Sequence, residues 1–440
     1  MQSEYLKTVK FGGSSLADAA QFMKVAEIVK ADPSRRYVVP SAPGRRFSGD
    51  FKVTDKLYEC YSAYENGEDY KSVLGEIKTR YDEITSTLGV SSLDKEFEKI
   101  IANIEGGYDS QYLASRGEYL NGIVLAEFLG FDFVDPAPYI RFSEKGVFEA
   151  PTTNRLLSKK LKEHKYAVIP GFYGATPSGI VKTFPRGGSD ITGSIVARAT
   201  DSDLYENWTD VSGFLVADPR IVKNPEIIEV VTYHELRELS YMGANVLHED
   251  SIFPVRISGI PINIRNTNHP EDRGTMIVSH RSNPRSNGII TGIAGKGGFS
   301  VITIEKDMMN SEIGFVRKVL SVFERHKISI EHIPSGIDTM GIIVNTSAVS
   351  EIKDEIIKDI TRAVDPDSIL YEEKLSLVAV VGRGMVNVPG TAGRIFKTIA
   401  ASGINVRMID QGSSEYNIII SVHERDMSRV IAAIYDEFFR

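Results

Sequence analysis

The chain has 440 residues, enough for two or three domains with sizeable cores. Apolar residues make up 42% of it and the formal net charge is −8, which argues against nucleic acid or another polyanion as main partner. The single Cys60 excludes an internal disulfide, no Cys/His spacing suggests a zinc site, and no long apolar run suggests a membrane span, so a cytoplasmic location is expected.

In chain order, short apolar runs alternate with helical periodicity as far as residue 280. Strands are expected at Thr8–Phe11, Tyr37–Val39, Phe131–Val134, Ala167–Ile169, Leu204–Trp208 and Pro261–Ile264. This alternation predicts an α/β fold with a parallel sheet covered on both faces. Ligands of such sheets gather at the carboxyl ends of the strands. Four polar motifs fall there: Gly12-Gly13, Ser41-Ala42-Pro43-Gly44, Gly171-Phe172 and Thr209-Asp210.

The first of these stands in Lys10-Phe11-Gly12-Gly13-Ser14-Ser15. Paired glycines between a strand and a helix let backbone N–H groups approach an anion. Lys10 precedes the glycines, so the ordinary P-loop order is excluded. The plainer alternative is a tight turn with Ser14 or Ser15 capping the helix.

Tyr58 to about Asn121 is a charged, amphipathic helical excursion with the character of an inserted lobe. Near its end, Ser115-Arg116-Gly117-Glu118 precedes an apolar run and reads as a capping box. Pro185-Arg186-Gly187-Gly188-Ser189-Asp190 repeats the glycine-pair logic. There Arg186 suits a carboxylate or phosphate, and Asp190 either orients a lysine or caps the helix. Glycines 171, 174, 179, 187 and 188 suggest a mobile flap. Asp218-Pro219-Arg220 and Lys223 add charge beyond Thr209-Asp210.

The polar, turn-rich stretch 281–291 reads as a linker between domains 1–285 and 292–440. Beyond it the chain repeats at a spacing of about 76 residues. Val301–Ile304, Gly314, a helix through Val319 and Phe323, and Ile328–Ile330 are matched by Leu377–Val381, Gly390, a helix through Ile395 and Ile399, and Ile404–Val406. A further strand follows each, giving two βαββ modules. The first spans about 298–365, open to completion by the C-terminal segment, and the second about 366–422.

KFGGSS, SRGE, PRGGSD, TDVSGFLVADPR and the paired C-terminal modules together resemble aspartate kinases, members of the amino-acid kinase family with tandem ACT domains. The resemblance covers nearly the whole chain and implies a parallel-sheet sandwich followed by two ACT modules. With no third, dinucleotide-binding domain following, it points to a monofunctional enzyme. The implied reaction is ATP- and Mg²⁺-dependent phosphorylation of the β-carboxylate of L-aspartate. That carboxylate is already ionised near pH 7, so no poised histidine is needed. The product would be a hydrolysable acyl phosphate, for which a closing flap makes sense.

The roles that the resemblance implies are as follows. Lys10, with Gly12, Gly13 and Ser14, holds the transferring phosphoryl group and Asp190 orients Lys10. Ser41, Thr54 and Ser189 contact aspartate, Glu118 its α-ammonium and Arg186 its α-carboxylate. Thr209, Asp210, Leu215, Arg220, Asn245 and Val246 serve the nucleotide. Leu215 and Asn245 stand where the family commonly has Tyr and Lys, and Arg45, Arg46 and Lys52 are candidates to replace the lost charge.

Met308 to Phe315 resembles the effector loop of lysine-inhibited relatives, with Met308, Asn310, Ser311, Gly314 and Phe315 as contacts. Glu331 stands where an acid would meet the lysine ε-ammonium, beside Ser329 and Ser335; alternatively it is a solvated charge. Lysine is the expected effector, with threonine its competitor, acting through ACT domains paired in a homodimer or tetramer. Two rivals remain: a glutamate-type amino-acid kinase, and a non-catalytic amino-acid sensor that kept the fold after Asn245 and Leu215 replaced ATP contacts.

Overall fold

The computed structural model describes residues 5–185, 187–243, 253–279, 288–386, 388–412 and 414–440. The chain divides into two compact units. One takes the described residues of Met1–Phe214, Glu229–Tyr233 and Asn245–Pro284; the other takes those of Leu215–Ile228, His234–Ala244 and Arg285–Arg440. The expected linker lies mostly outside the described residues. Among these residues no helix is long and apolar enough to cross a membrane.

The first unit holds β1 (Lys7–Phe11), β2 (Arg35–Pro40), β3 (Asp132–Phe133), β4 (Ala167–Val168), β5 (Tyr173–Ala175), β6 (Val181–Thr183), β7 (Leu204–Thr209), β8 (Val230–Thr232), β9 (Ile262–Asn266) and β10 (Thr275–Val278). β5 and β6 form a separate hairpin; the others form one sheet in the order β3-β4-β2-β1-β7-β9-β10-β8. Every neighbouring pair is parallel except β9 and β10. All six strands expected from the sequence are in this sheet. β8 and β10, too short to carry a period, are additions.

Side chains alternate across a strand, so β1 serves two layers. Val9 and Phe11 enter a core with Leu57, Tyr81, Phe97, Leu113 and Trp208. The helices Val53–Glu65, Tyr70–Leu88, Asp94–Glu105 and Ser110–Leu129 supply that core, so the helical excursion is one covering layer of the sheet rather than a lobe apart. On the opposite face the helices Ala150–Leu161 and Gly188–Ala199 set Leu157, Leu161, Ile191 and Ile195 against Tyr37, Val39 and Ile169.

A buried carboxylate ties the central strands together. Glu206 on β7 is 1% exposed. It accepts from Arg35 Nε at 2.8 Å and from Trp208 Nε1 at 2.9 Å, and Lys7 Nζ lies 3.2 Å away. Burial pushes its pKa up, but Arg35 and Lys7 more than offset this and hold it below the usual glutamate value.

The second unit holds β11 (Gly292–Glu305), β12 (Ile330–His332), β13 (Thr339–Asn345), β14 (Ser368–Val381), β15 (Met408–Asp410) and β16 (Asn417–His423), in one sheet ordered β12-β13-β11-β14-β16-β15. The two repeats expected from sequence are present, and each gains a second helix, Lys353–Val364 or Met427–Phe439. Their separation is not that of two closed modules. Val301–Glu305 pairs with Ser368–Glu372, and Gly292–Lys296 with Leu377–Val381. The first repeat is thus completed by the leading half of β14, not by the C-terminal segment, whose helix packs Ile431 and Met427 against Gly295.

Arg35→Met would leave Glu206 with Lys7 at 3.2 Å and the more distant Arg265 at 4.0 Å as ion-pair partners. Breaking such a buried pair costs about 3 kcal/mol. A carboxylate with a depressed folded pKa stabilises above its unfolded pKa and loses that contribution as pH falls through the folded value. The variant should therefore unfold at lower urea at pH 7, with a smaller further loss on acidification. Fluorescence of Trp208, the single tryptophan, reads this directly. An unchanged midpoint at pH 7 would contradict it.

Candidate functional site

Main-chain bonds lace the carboxyl ends of four strands into one rim. Gly12 N donates to Trp208 O at 2.9 Å, Ser41 N to Phe11 O at 3.0 Å, Gly171 N to Pro40 O at 3.1 Å and Gly44 N to Gly13 O at 2.8 Å. The four polar motifs therefore converge. Gly13 and Gly44 touch backbone to backbone: a Cβ on Gly13 would lie 2.9 Å from Ala42 O, and one on Gly44 2.5 Å from Gly13 C. Neither position admits a side chain.

After β1 the chain makes a 3-10 turn, Gly13–Leu16, before the helix Ala19–Lys30. That helix is capped by Asp18, whose carboxylate accepts from Gln21 N at 2.9 Å. Neither Ser14 nor Ser15 is its cap. Ser15 Oγ instead hydrogen-bonds Thr267 Oγ1 at 2.7 Å, while Ser14 stays half-buried.

Lys10 points into the rim. Its Nζ lies 2.6 Å from Asp190 Oδ1, and Asn207 Nδ2 donates to the same oxygen at 2.9 Å. Asp190 sits in the first turn of the helix Gly188–Ala199, entered through Gly187 at φ +78°. Asp190 thus orients the lysine, and Asn207 orients Asp190. Sequence reading missed Asn207; the available signal was a second polar residue, after Glu206, within a buried strand.

Ser115 and Glu118 do not form a capping box. Their helix begins earlier, at Ser110, and Asp109 caps it by accepting from Tyr112 N at 3.0 Å. Ser115 Oγ donates to Tyr112 O, and the Arg116 guanidinium is held over the rings of Tyr112, Tyr119 and Tyr173. Glu118 lies mid-helix and is 5% exposed. Burial raises its pKa to about 8 against the pull of the Ala42 amide, the Ser189 hydroxyl and Arg116. Its Oε2 has no partner. Asn121, one turn on, donates Nδ2 to Ser41 O at 2.7 Å and leaves Oδ1 unpartnered. A buried acceptor pair thus faces the rim without the donors it requires.

Thr54 is the second residue of the helix Val53–Glu65, joined to the rim where Val53 N donates to Pro43 O at 3.1 Å. Thr209 ends β7 and the exposed Asp210 follows it. Arg186, Asn245 and Val246 lie outside the described residues. Leu215 and Arg220 belong to the second unit, where Arg220 Nη2 pairs with Asp218 at 2.6 Å.

Arg46 is not a free base for a nucleotide. Its guanidinium grips both oxygens of Asp50 at 2.9 and 3.1 Å. Arg80, unnoticed in the sequence, is buried and ties the turn to the loop by donating to Ala17 O, Phe51 O and Gly44 O. The glycine-rich stretch after Gly171 forms the β5–β6 hairpin. It is pinned where Tyr173 Oη donates to Asp135 at 3.0 Å and Thr183 N to Gln111 at 3.1 Å.

Within the second unit, Met308 N donates to Asp338 at 2.9 Å and Asn310 N to Ile337 O at 3.1 Å. Ser311 is exposed, and Gly314 enters the next helix at φ +83°. Phe315 is committed to the core with Val319 and Phe323. Ser329 is exposed, while Ser335 bridges to Met340. Glu331 is not a bare surface charge: it accepts a hydrogen bond from Tyr241 Oη. Burial, then Glu331, pushes the Tyr241 hydroxyl up to about 12.

Glu118→Gln removes a carboxyl whose raised pKa costs folding energy once the unfolded state ionises. The penalty is absent at low pH, grows from the unfolded value towards about 8 and is then constant. The variant should match the parent in Tm near pH 4 and exceed it increasingly up to pH 8. Equal Tm at pH 8 would contradict the burial.

Comparison with known proteins places this geometry. The amino acid kinase family model matches residues 7–266, and an ACT domain model matches 378–438. The chain is 39% identical to aspartokinase 3 of Bacillus subtilis, with 99% of each chain covered. The crystal structure of Clostridium acetobutylicum aspartate kinase superposes with a TM-score of 0.90 at 48% identity, covering 99% of this chain and 100% of that one. Escherichia coli aspartokinase III, solved with aspartate and ADP and with lysine and aspartate, gives 0.72 and 0.73 at 24% identity; each comparison covers 99% of this chain and 100% of the other, and shows a shared fold. An oriented lysine over a glycine turn, with a buried carboxyl group that keeps one oxygen unpartnered, is thus found in a chain that belongs to the amino acid kinase family and, within it, to the aspartate kinases.

Proposed function

We propose that this aspartate kinase transfers the γ-phosphoryl group of ATP to the β-carboxylate of L-aspartate on the rim of β1, β2, β4 and β7. The observation that carries the reading is the joint presence of Lys10, fixed by Asp190 and Asn207, and of Glu118, buried with one oxygen unpartnered. Glu118 receives the α-ammonium of aspartate, with Ser41, Thr54 and Ser189 around the substrate and Arg186 on its α-carboxylate. Lys10 and the amides of Gly12, Gly13 and Ser14 draw charge from the phosphoryl oxygens. Thr209, Asp210, Leu215, Arg220, Asn245 and Val246 serve the nucleotide.

The attacking carboxylate needs no base, so catalysis is alignment and charge stabilisation. Among the described residues no group of three or more His, Cys, Asp or Glu side chains is set to hold a metal. That suits a Mg²⁺ carried on the nucleotide phosphates and shared with one carboxylate, for which Asp210 is the exposed candidate. Bound there, the ion would neutralise phosphate charge.

Lysine is the effector that this reading favours, with its ε-ammonium at Glu331. It would displace the Tyr241 hydroxyl, and Tyr241 ends the helix that leads in sequence to Asn245 and Val246. Residues 1–285 are the catalytic domain and 292–440 the regulatory pair, which assembles homodimers or tetramers.

Lys10→Met should lower kcat by about 10²–10³-fold. Asn207→Ala should lower kcat by about tenfold or more with the KM for aspartate held, because it misaligns Lys10 without touching substrate. Aspartate binding at pH 7 should release about one proton, since Glu118 must ionise to meet an ammonium. Calorimetry in two buffers of different ionisation enthalpy reads that proton, and Glu118→Gln should abolish its release. Buffer-independent enthalpy in the parent would refute the assignment.

Glu331→Ala should relieve lysine inhibition and leave the uninhibited kcat intact. Tyr241→Phe should shift inhibition to lower lysine concentration, because the competing hydroxyl is gone. Unchanged sensitivity in both variants would remove lysine from Glu331.

A further inference from the structure

The helix Ser110–Leu129 meets the rim at two points where glycine lets other groups close in. A Cβ on Gly117 would lie 2.7 Å from the Ala42 Cβ, and one on Gly122 would lie 2.5 Å from Pro170 Cγ. Ala42 follows β2 and Pro170 follows β4, so both contacts are at the carboxyl ends of strands. Glu118 and Asn121 lie between the two glycines. They are three residues apart and share one face of the helix. Asn121 is fully buried, at 0% exposure.

These two side chains hold a single peptide unit by its two polar groups. Ser41 O accepts from Asn121 Nδ2 at 2.7 Å, and the amide of the same peptide, that of Ala42, donates to Glu118. Only the nitrogen of a carboxamide can donate to a carbonyl, so Oδ1 is the end of Asn121 left over. It has no partner, and neither has Glu118 Oε2. Two buried acceptors one helical turn apart suit one group rich in donors. An ammonium carries three N–H donors and no acceptor. A carboxylate at position 121 would set a second negative charge beside Glu118, whose own pKa burial already lifts to about 8. A carboxamide supplies the acceptor without that charge.

We propose that Asn121 is a substrate-binding residue that selects for the amino group of aspartate by accepting, through Oδ1, a hydrogen bond from the α-ammonium. The proposal rests on the reading of Glu118 given above and adds a second acceptor to it. Nδ2 stays on Ser41 O, so the same side chain joins the substrate to the segment that carries Ser41. The pair discriminates between dicarboxylates by what stands on the α-carbon. L-aspartate offers three charged donors, L-malate one neutral donor and succinate none. With the latter two, at least one buried acceptor stays unpaired, which a site built for donors penalises.

Asn121→Leu, which keeps the branched shape and removes the polar atoms, tests this in the full chain. The KM for L-aspartate should rise about tenfold or more, while the KM for ATP and the competitive inhibition by succinate should hold. Equal weakening of aspartate and succinate would confine Asn121 to holding Ser41 and overturn the proposal. Glu118→Gln, measured in parallel, separates the two readings. A loss selective for aspartate in Glu118→Gln but not in Asn121→Leu overturns the role of Asn121 alone. No selective loss in Glu118→Gln overturns the reading of Glu118, and this proposal with it. Should Asn121→Leu fail to fold, or succinate bind too weakly to compete, a crystal structure of the parent with L-aspartate decides. The α-nitrogen should lie within hydrogen-bond distance of Asn121 Oδ1, and a separation above about 3.5 Å would overturn the proposal.

Discussion

The parity of β1 is the constraint on which the catalytic unit depends. Its five residues lie between β2 and β7 in a fixed parallel register, with Lys10 opposite Val39 and Asn207. Side-chain direction has a period of two, so a slip by one residue would turn Lys10 into the four-helix core and Phe11 towards Asp190. The apolar pair Val9 and Phe11 forbids that slip by burial, and Glu206 reinforces it by joining β1, β2 and β7 through Lys7 and Arg35. Hydrophobic pattern and ion pairing thus aim one ammonium group. The chemistry at the rim follows from packing one to three residues away along β1.

Much of this was legible in the sequence because it rests on short-range signals. Strand runs ending in Gly-Gly, Ser-Ala-Pro-Gly and Thr-Asp identify both the sheet and its functional edge, and the glycines mark where backbones must touch. The Lys10–Asp190 pair was accessible through the family resemblance, whereas the residues alone left Asp190 as either a lysine partner or a helix cap. What escaped are contacts with no local pattern. Asn207 reaches Asp190 across strand and helix, and Arg80 returns to the turn from a helix far along the chain. Ser115-x-x-Glu118 misled because its spacing is that of a cap, while Asp109 had already started the helix one and a half turns earlier. At Ser14 and Ser15 the competing device was again an aspartate, Asp18, one 3-10 turn further on.

The regulatory half shows the same division between local and long-range information. Gly314 and Gly390 both enter a helix with positive φ, which is the repeat made visible in backbone geometry. The pairing partners of each repeat are not visible that way. Ser368–Glu372 reads as the start of the second repeat, yet its hydrogen bonds go to the first. Likewise Tyr241 lies in sequence among catalytic-domain residues, but its hydroxyl belongs to Glu331.

The exchange of half-strands between β11 and β14 has a consequence for how such a chain could be cut or recombined. A gene break between the repeats would not release two domains. The first piece would lose the strand flanking Val301–Glu305 and the second the strand flanking Leu377–Val381, each exposing an unpaired inner edge open to aggregation. The duplicated half therefore folds as one sheet whose two repeats share the backbone of β11 and β14.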